Sequence, residues 1–284
     1  MQMNESVVKS HAKINLALRI TGRYPDGYHS LSSLFLEIEL HDRLRFTPSD
    51  TYSLIVDGRD LTGDHSNTIY RAYDIIKKNF GMKQEWEIEV EKIIPPGAGL
   101  GGGSSNGAAV LRFLNEALGL GLRHDQLEKI ALEIGCDVPF FIQGGLQFVE
   151  GRGEKLTTVN IDFPYSILLV YPGIHISTGW AYSQFSLTNR KEGYKLESLF
   201  SNGDIHWELF ENQFEDIVFQ THPEVGKIKE DLVKAGAIYA GLSGSGSTVF
   251  GIYDSIPSAR MAERVFTNYQ TFVTLPTTRK TIKV

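Results

Sequence analysis

From Trp86 to Ile94 the chain alternates apolar and polar side chains with period two, which predicts a strand with one face in a core. Lys13 to Ile20 and Leu31 to Leu40 alternate in the same way, while Asn67 to Phe80 has helical spacing. Beyond residue 110 the period changes. Val110, Leu111, Leu114, Ala117 and Leu118 recur at helical intervals, and Gly119 is placed to end that helix. Asp125 and Glu128 predict a capping box for a second helix, whose stripe is Leu127, Ile130, Ala131 and Ile134 and whose stop is Gly135. Asp137-Val138-Pro139 then opens a new element, since proline biases Val138 away from helical geometry and suits a first turn.

The second half restarts with Ser166–Tyr171, a buried-strand pattern broken by Pro172-Gly173. Pro223 to Ala235 and Pro257 to Tyr269 predict helices, Ala237 to Ala240 and Val249 to Tyr253 strands; the stretch from Asn189 to Asn202 is assigned to no element. The order suits an α+β protein of two domains, 1–160 and 161–284, with the boundary near Asn160 to Pro164 and no long linker.

Composition narrows the function classes. The 284 residues are 42% hydrophobic and 22% charged, close to the globular average. The formal charge of −6 argues against nucleic acid as a main partner. Met1 to Ser6 lack a cationic segment followed by an apolar one, and no apolar run approaches the ~18 residues of a membrane span, so the expectation is a cytoplasmic chain with no membrane partner, monomer or homodimer. The one cysteine, Cys136, permits no internal disulfide and suits a reducing compartment; the histidines show no metal-ligand spacing.

The 28 glycines are unevenly spread. One cluster is Pro95, Pro96, Gly97, Ala98, Gly99, Leu100, Gly101, Gly102, Gly103, Ser104 and Ser105, between a predicted strand and a predicted helix; the other runs from Gly241 to Ser247. Gly97, Gly99 and Gly102 satisfy the dinucleotide pattern G-x-G-x-x-G, but a second helix follows where that fold needs a parallel strand. Gly97, Gly102 and Ser104 fit the Walker pattern, but Gly103 stands at its lysine. What remains is a phosphate cradle of backbone amides at a helix start, with serine hydroxyls for phosphate or magnesium. Gly241–Ser247 alone also fits a plain hairpin loop.

The first cluster resembles the second motif of the GHMP kinase superfamily, small-molecule kinases of galactose, homoserine, mevalonate and phosphomevalonate. Ala12-Lys13-Ile14-Asn15-Leu16 with Gly27-Tyr28-His29, Gly97 to Asn106, Asp137-Val138-Pro139-Phe140-Phe141 and Ser243 to Ser247 extend the resemblance from residue 12 to about 250 and point to the branch whose acceptor is a cytidine diphosphate-linked methylerythritol. The resemblance implies an N-terminal half like ribosomal protein S5 domain 2, a ferredoxin-like C-terminal half and an active site in the cleft between them. It implies ATP and Mg2+ as cofactors and phosphorylation of the acceptor's 2-hydroxyl. Homoserine or a mevalonate-type alcohol is the alternative acceptor. A silent nucleotide-binding module is the alternative class, against which the intact Lys13 and Asp137 argue.

By the same resemblance Asp137 is the catalytic carboxylate, although an aspartate before Val-Pro is otherwise a helix cap. Lys13 is its positive partner, and Asn15, on the same strand face, meets the acceptor polyol. Tyr28 and His29 recognise cytosine, with Tyr182 or Phe185 completing the sandwich. Asn67 and Lys92 lie near the adenine, Gly97 to Ser105 hold the phosphates and Ser104 or Ser105 contacts magnesium. Gly244, Ser245, Gly246 and Ser247 approach the substrate's phosphates. Cys136, with no histidine beside it in sequence, is an inert thiol.

Overall fold

A computed structural model describes residues 4–185, 192–201 and 204–277, so part of the unassigned 189–202 stretch lies outside it. The chain forms two compact units: one holds the residues up to Ala12, Leu40–Pro96 and Gly101–Gly144, the other Lys13–Glu39, Gly97–Leu100 and the residues from Gly145 onward. Two long strands, β1 (Ser6–Arg23) and β2 (His29–Ser49), contribute to both. No helix among the described residues is long and apolar enough to cross a membrane.

In the first unit, β3 (Ser53–Val56) carries the short β4 (Arg59–Asp60) and runs parallel to β5 (Glu85–Glu91), which pairs antiparallel with Arg43–Ser49 of β2. Trp86, Ile88 and Val90 are buried, as the period-two pattern requires. The strand stops at Glu91 rather than Ile94 because the buried Asp42 carboxylate takes the amides of Ile93 and Ile94, at 2.7 and 2.8 Å, away from sheet pairing. Helix α1 (Thr68–Phe80), between β4 and β5, starts on Asn67, whose side chain accepts from the Ile69 amide at 3.0 Å. Its stripe Ile69, Ala72, Tyr73 and Ile76 is buried.

Helix α2 (Gly102–Ala117) follows β5, and its Phe113 stacks on Phe46 at 3.8 Å and meets Trp86 edge-on at 4.9 Å. Helix α3 (His124–Ile134) corrects the predicted cap: the Arg123 amide donates to Gln126 Oε1 at 3.0 Å, whereas Asp125 sits inside the first turn and pairs with the Arg123 guanidinium. The capping signal lies two residues earlier than Asp125–Glu128 suggested. The short α4 (Phe140–Gln143) follows Val138-Pro139 and has Pro139 at its N-cap position, so Asp137 is not the helix cap.

In the second unit, β6 (Leu146–Gly151) pairs with Leu31–Leu36 of β2 and with β7 (Lys155–Thr158). β8 (Ser166–Tyr171) leads to α5 (Thr178–Gln184) and then to α6 (Leu196–Leu199), β9 (Phe200–Ser201) and β10 (Asp204–Ile205). After α7 (Glu215–Thr221) come α8 (Pro223–Lys234), β11 (Tyr239–Leu242), β12 (Val249–Tyr253), α9 (Ile256–Glu263) and β13 (Gln270–Thr274). β8, α8, β11, β12, α9 and β13 make β-α-β-β-α-β, with strand order β11-β12-β8-β13 and every pair antiparallel, the ferredoxin-like arrangement. Leu168 and Val170 pack with Val225, Ile228 and Leu232 of α8 and Ala259 and Ala262 of α9. The helix predicted to reach Tyr269 ends at Glu263, before the β-branched Val265 and Thr267, and frees the chain for β13.

Candidate active site

The second glycine cluster is a hairpin loop between β11 and β12, but not a plain one. Within the second unit it closes on the first cluster. Ser243 Oγ donates to the Gly99 carbonyl at 2.9 Å and the Thr248 amide to the Ala98 carbonyl at 3.2 Å. Gly99 has φ +79°, and a Cβ there would overlap the Ser243 carbonyl oxygen, so both torsion and space require glycine.

Lys13 and Asn15 project from β1 beneath this closure, two residues apart and therefore on one face. Lys13, 3% exposed, donates through Nζ to Asn15 Oδ1 at 2.6 Å and to the Gly99 carbonyl at 3.1 Å, with the Phe35 ring 4.8 Å away. Asn15 Nδ2 donates to Ser33 Oγ at 3.1 Å, and its amide to Ser243 Oγ at 3.3 Å. Gly244 lies over the pair: a Cβ there would stand 3.3 Å from Asn15 Oδ1 and 3.5 Å from Lys13 Nζ. The result is a desolvated cation under two glycine-rich backbones, suited to developing negative charge on a transferred group.

Two devices hold the hairpin loop. The buried Asn212 donates through Nδ2 to the carbonyls of Leu242 (2.7 Å) and Gly244 (2.8 Å), while its Oδ1 accepts from the Phe214 amide. From the other side, Ser247 Oγ donates to the Ile174 carbonyl, and the hydroxyls of Ser245 and Thr178 are 3.1 Å apart. Thr178 begins α5, and one turn on, about 6 Å along the axis, Tyr182 stacks on His29 at 4.9 Å and 25°. Phe185, just past the helix, meets the same imidazole edge-on at 6.4 Å. Both sequence candidates for the aromatic partner therefore lie at His29. Tyr28 is 57% exposed on the adjoining turn. Burial, then the charge of Arg23, holds the His29 pKa below its ordinary value.

The remaining sequence-predicted residues belong to the first unit. Gly101, φ +70°, caps α2 without a side chain and leaves the amides of its first turn free for an anion. Thr68 Oγ1 fixes the Gly103 carbonyl at 2.6 Å. Lys92 is ion-paired with Asp42, and its Nζ stands 3.3 Å from where a Cβ on Gly102 would be. The loop lacks the Walker lysine, yet the Lys92 amine, just past β5 and paired with Asp42, reaches the helix start, where the free amides and the helix dipole favour an anion. Ser105 is buried, its hydroxyl accepting from Ser10 Oγ at 2.7 Å, whereas Ser104 is half-buried. Asp137 and the Cys136 before it are half-buried in the turn before α4.

Sequence reasoning missed Asp42, Asn212 and Thr178, each of which bonds to one of these loops. Asn212 had a signal: a polar Glu-Asn-Gln step between Phe210 and Phe214. Asp42 had none, since its partners lie 50 or more residues away.

The GHMP kinases N terminal domain model matches residues 67–145 and the GHMP kinases C terminal model residues 196–271. The chain is 40% identical over 275 residues to the 4-diphosphocytidyl-2-C-methyl-D-erythritol kinase of Prosthecochloris aestuarii, covering 94% of this chain and 96% of that one. It is 42% identical over 252 residues to the protein of that name from Chloroherpeton thalassium, covering 87% and 88%. Among solved structures it superimposes on a 4-(cytidine 5'-diphospho)-2C-methyl-D-erythritol kinase with a TM-score of 0.82 at 29% identity, over 96% of this chain and all of that one. The homoserine kinase of Cytophaga hutchinsonii, at TM-score 0.67 and 17% identity over 98% and 96%, shares the fold. The chain therefore belongs to the GHMP kinases, in the family of the 4-diphosphocytidyl-2-C-methyl-D-erythritol kinases.

Proposed function

We propose that this chain transfers the γ-phosphoryl group of ATP to the 2-hydroxyl of 4-diphosphocytidyl-2-C-methyl-D-erythritol, giving the 2-phosphate and ADP, a step of the non-mevalonate route to isopentenyl diphosphate in the cytoplasm. The observation that carries this reading is the closure of the Gly/Ser hairpin loop over Lys13 and Asn15, one turn of α5 from the aromatic group at His29. A polar, cationic centre and an aromatic nucleobase platform suit an acceptor with a reactive alcohol at one end and cytosine at the other. Homoserine and mevalonate-type acceptors are not favoured, because the likeness to homoserine kinase stops at the fold.

In this reading Asp137 accepts the proton of the attacking hydroxyl, and Lys13 offsets charge on the transferred group. Asn15 orients the acceptor. The amides from Gly97 to Ser105 hold the triphosphate, with Lys92 as their cation, and Asn67 lies near the adenine. Mg2+, when bound, neutralises β- and γ-phosphate oxygens. Ser104 is the serine to hold it, since the Ser105 hydroxyl is engaged with Ser10. Tyr28 stacks on cytosine and His29 meets its polar edge, with Tyr182 and Phe185 behind. Gly244 to Ser247 approach the acceptor's phosphates. Phosphorus NMR of the protein with ATP, magnesium and the diphosphocytidyl substrate tests this: a new phosphomonoester signal on the acceptor is expected, and ADP with only inorganic phosphate would refute it.

A further inference from the structure

We infer that Arg152 is a positioning residue for nucleobase recognition, holding Tyr28 and its turn ready for cytosine. The turn joins β1 to β2 and is closed by its own backbone: the Tyr24 amide donates to the Tyr28 carbonyl at 2.7 Å and the Gly27 amide to the Tyr24 carbonyl at 3.0 Å. Asp26 Oδ1 accepts from the Tyr28 amide at 3.2 Å. None of these bonds restrains the Tyr28 ring.

Arg152 does. It follows β6, and its guanidinium carbon lies 4.4 Å from the Tyr24 ring centroid and 5.1 Å from that of Tyr28, while Nη2 is 2.6 Å from Asp26 Oδ2. One planar cation thus grips both aromatic residues and the acid of a five-residue loop. Arg152 is itself placed. Its amide donates to Glu154 Oε2 at 2.5 Å, and Gly151, φ +73°, leaves room that a Cβ would take from the Glu154 carboxylate. An exposed surface ion pair contributes little to stability, so the arrangement serves to order the ring before binding, lowering the ordering cost that cytosine would otherwise meet.

This inference rests on the proposed role of Tyr28. The test is steady-state kinetics of full-length Arg152→Ala and Arg152→Lys beside the unaltered protein, with thermal unfolding and calorimetric binding of cytidine monophosphate. In Arg152→Ala, KM for the diphosphocytidyl substrate and the dissociation constant for cytidine monophosphate should both rise about fivefold to tenfold. The kcat, KM for ATP and melting temperature should stay as they were, and Arg152→Lys should recover part of the loss. An unchanged KM, or equal losses in kcat, KM for ATP and melting temperature, would overturn the assignment. Should Arg152→Ala not fold, Asp26→Asn, which keeps the guanidinium but removes its anchor, should raise the same two constants about twofold to threefold, and no rise would overturn it equally. If the unaltered protein does not turn over the diphosphocytidyl substrate, the acceptor reading fails; cytidine monophosphate binding tests Arg152 independently.

Discussion

Lys13 Nζ donates to the carbonyl oxygen of Gly99, 86 residues away, at 3.1 Å. That bond ties the cation of the first sequence signature to the glycine loop proposed to hold phosphate, so removing the charge should affect chemistry more than folding. Lys13→Met should lower kcat by about a hundredfold or more, with a melting temperature close to that of the parent, because Ser243 Oγ still serves the Gly99 carbonyl. A drop confined to KM would show the amine to be a binding group only.

Asp137→Asn keeps the size of the side chain and removes the proposed base. The expected loss is about 10²- to 10⁴-fold in kcat, with KM for ATP and the circular dichroism spectrum unchanged. Full activity would remove Asp137 from the mechanism.

Asn212→Ala takes the donor from two carbonyls, that of the buried Leu242 and that of the half-buried Gly244. The expected destabilisation is about 2–4 kcal/mol, read in denaturant or thermal unfolding, together with a raised KM for the acceptor because the loop over Lys13 and Asn15 is no longer fixed. A stable variant with parental KM would show that the loop holds itself.

Gly99→Ala forces a Cβ onto the Ser243 carbonyl at a positive φ. Neither backbone can yield cheaply, so the variant should lose turnover entirely and unfold at lower temperature. Turnover near the parental rate would contradict the close approach of the two loops.

His29 provides the pH test. Its pKa is lowered first by burial and then by Arg23, so the folded protein binds fewer protons than the unfolded chain between the depressed value and 6.5. The stability from its neutral ring is complete above about pH 6.5 and is lost as pH falls through the folded pKa. Proton NMR should find His29 titrating below 6.5, moving upward in Arg23→Gln. A midpoint at or above 6.5 in the parent would contradict the burial.

What the sequence made legible follows from distance along the chain. α1 and the alternation of β5 were visible because their signals lie within one element, and both glycine clusters were visible as glycine. The early end of β5 was not, since it depends on Asp42, nor was the joining of the glycine clusters, which needs Ser243 and Gly99 in contact. Lys13 and Asn15 stand out only through the resemblance; periodicity alone makes them an ordinary strand lysine and asparagine. Tyr182 and Phe185 could not be ranked by spacing, because the His29 ring meets both.

The acceptor proposed for this chain is the diphosphocytidyl alcohol. Initial rates of ADP release with ATP and magnesium, measured across that compound, homoserine and mevalonate, test it most directly. The expected kcat/KM is at least about a thousandfold higher for the diphosphocytidyl substrate. Equal or greater turnover of an alcohol without cytidine, or ADP release independent of any acceptor, would contradict it.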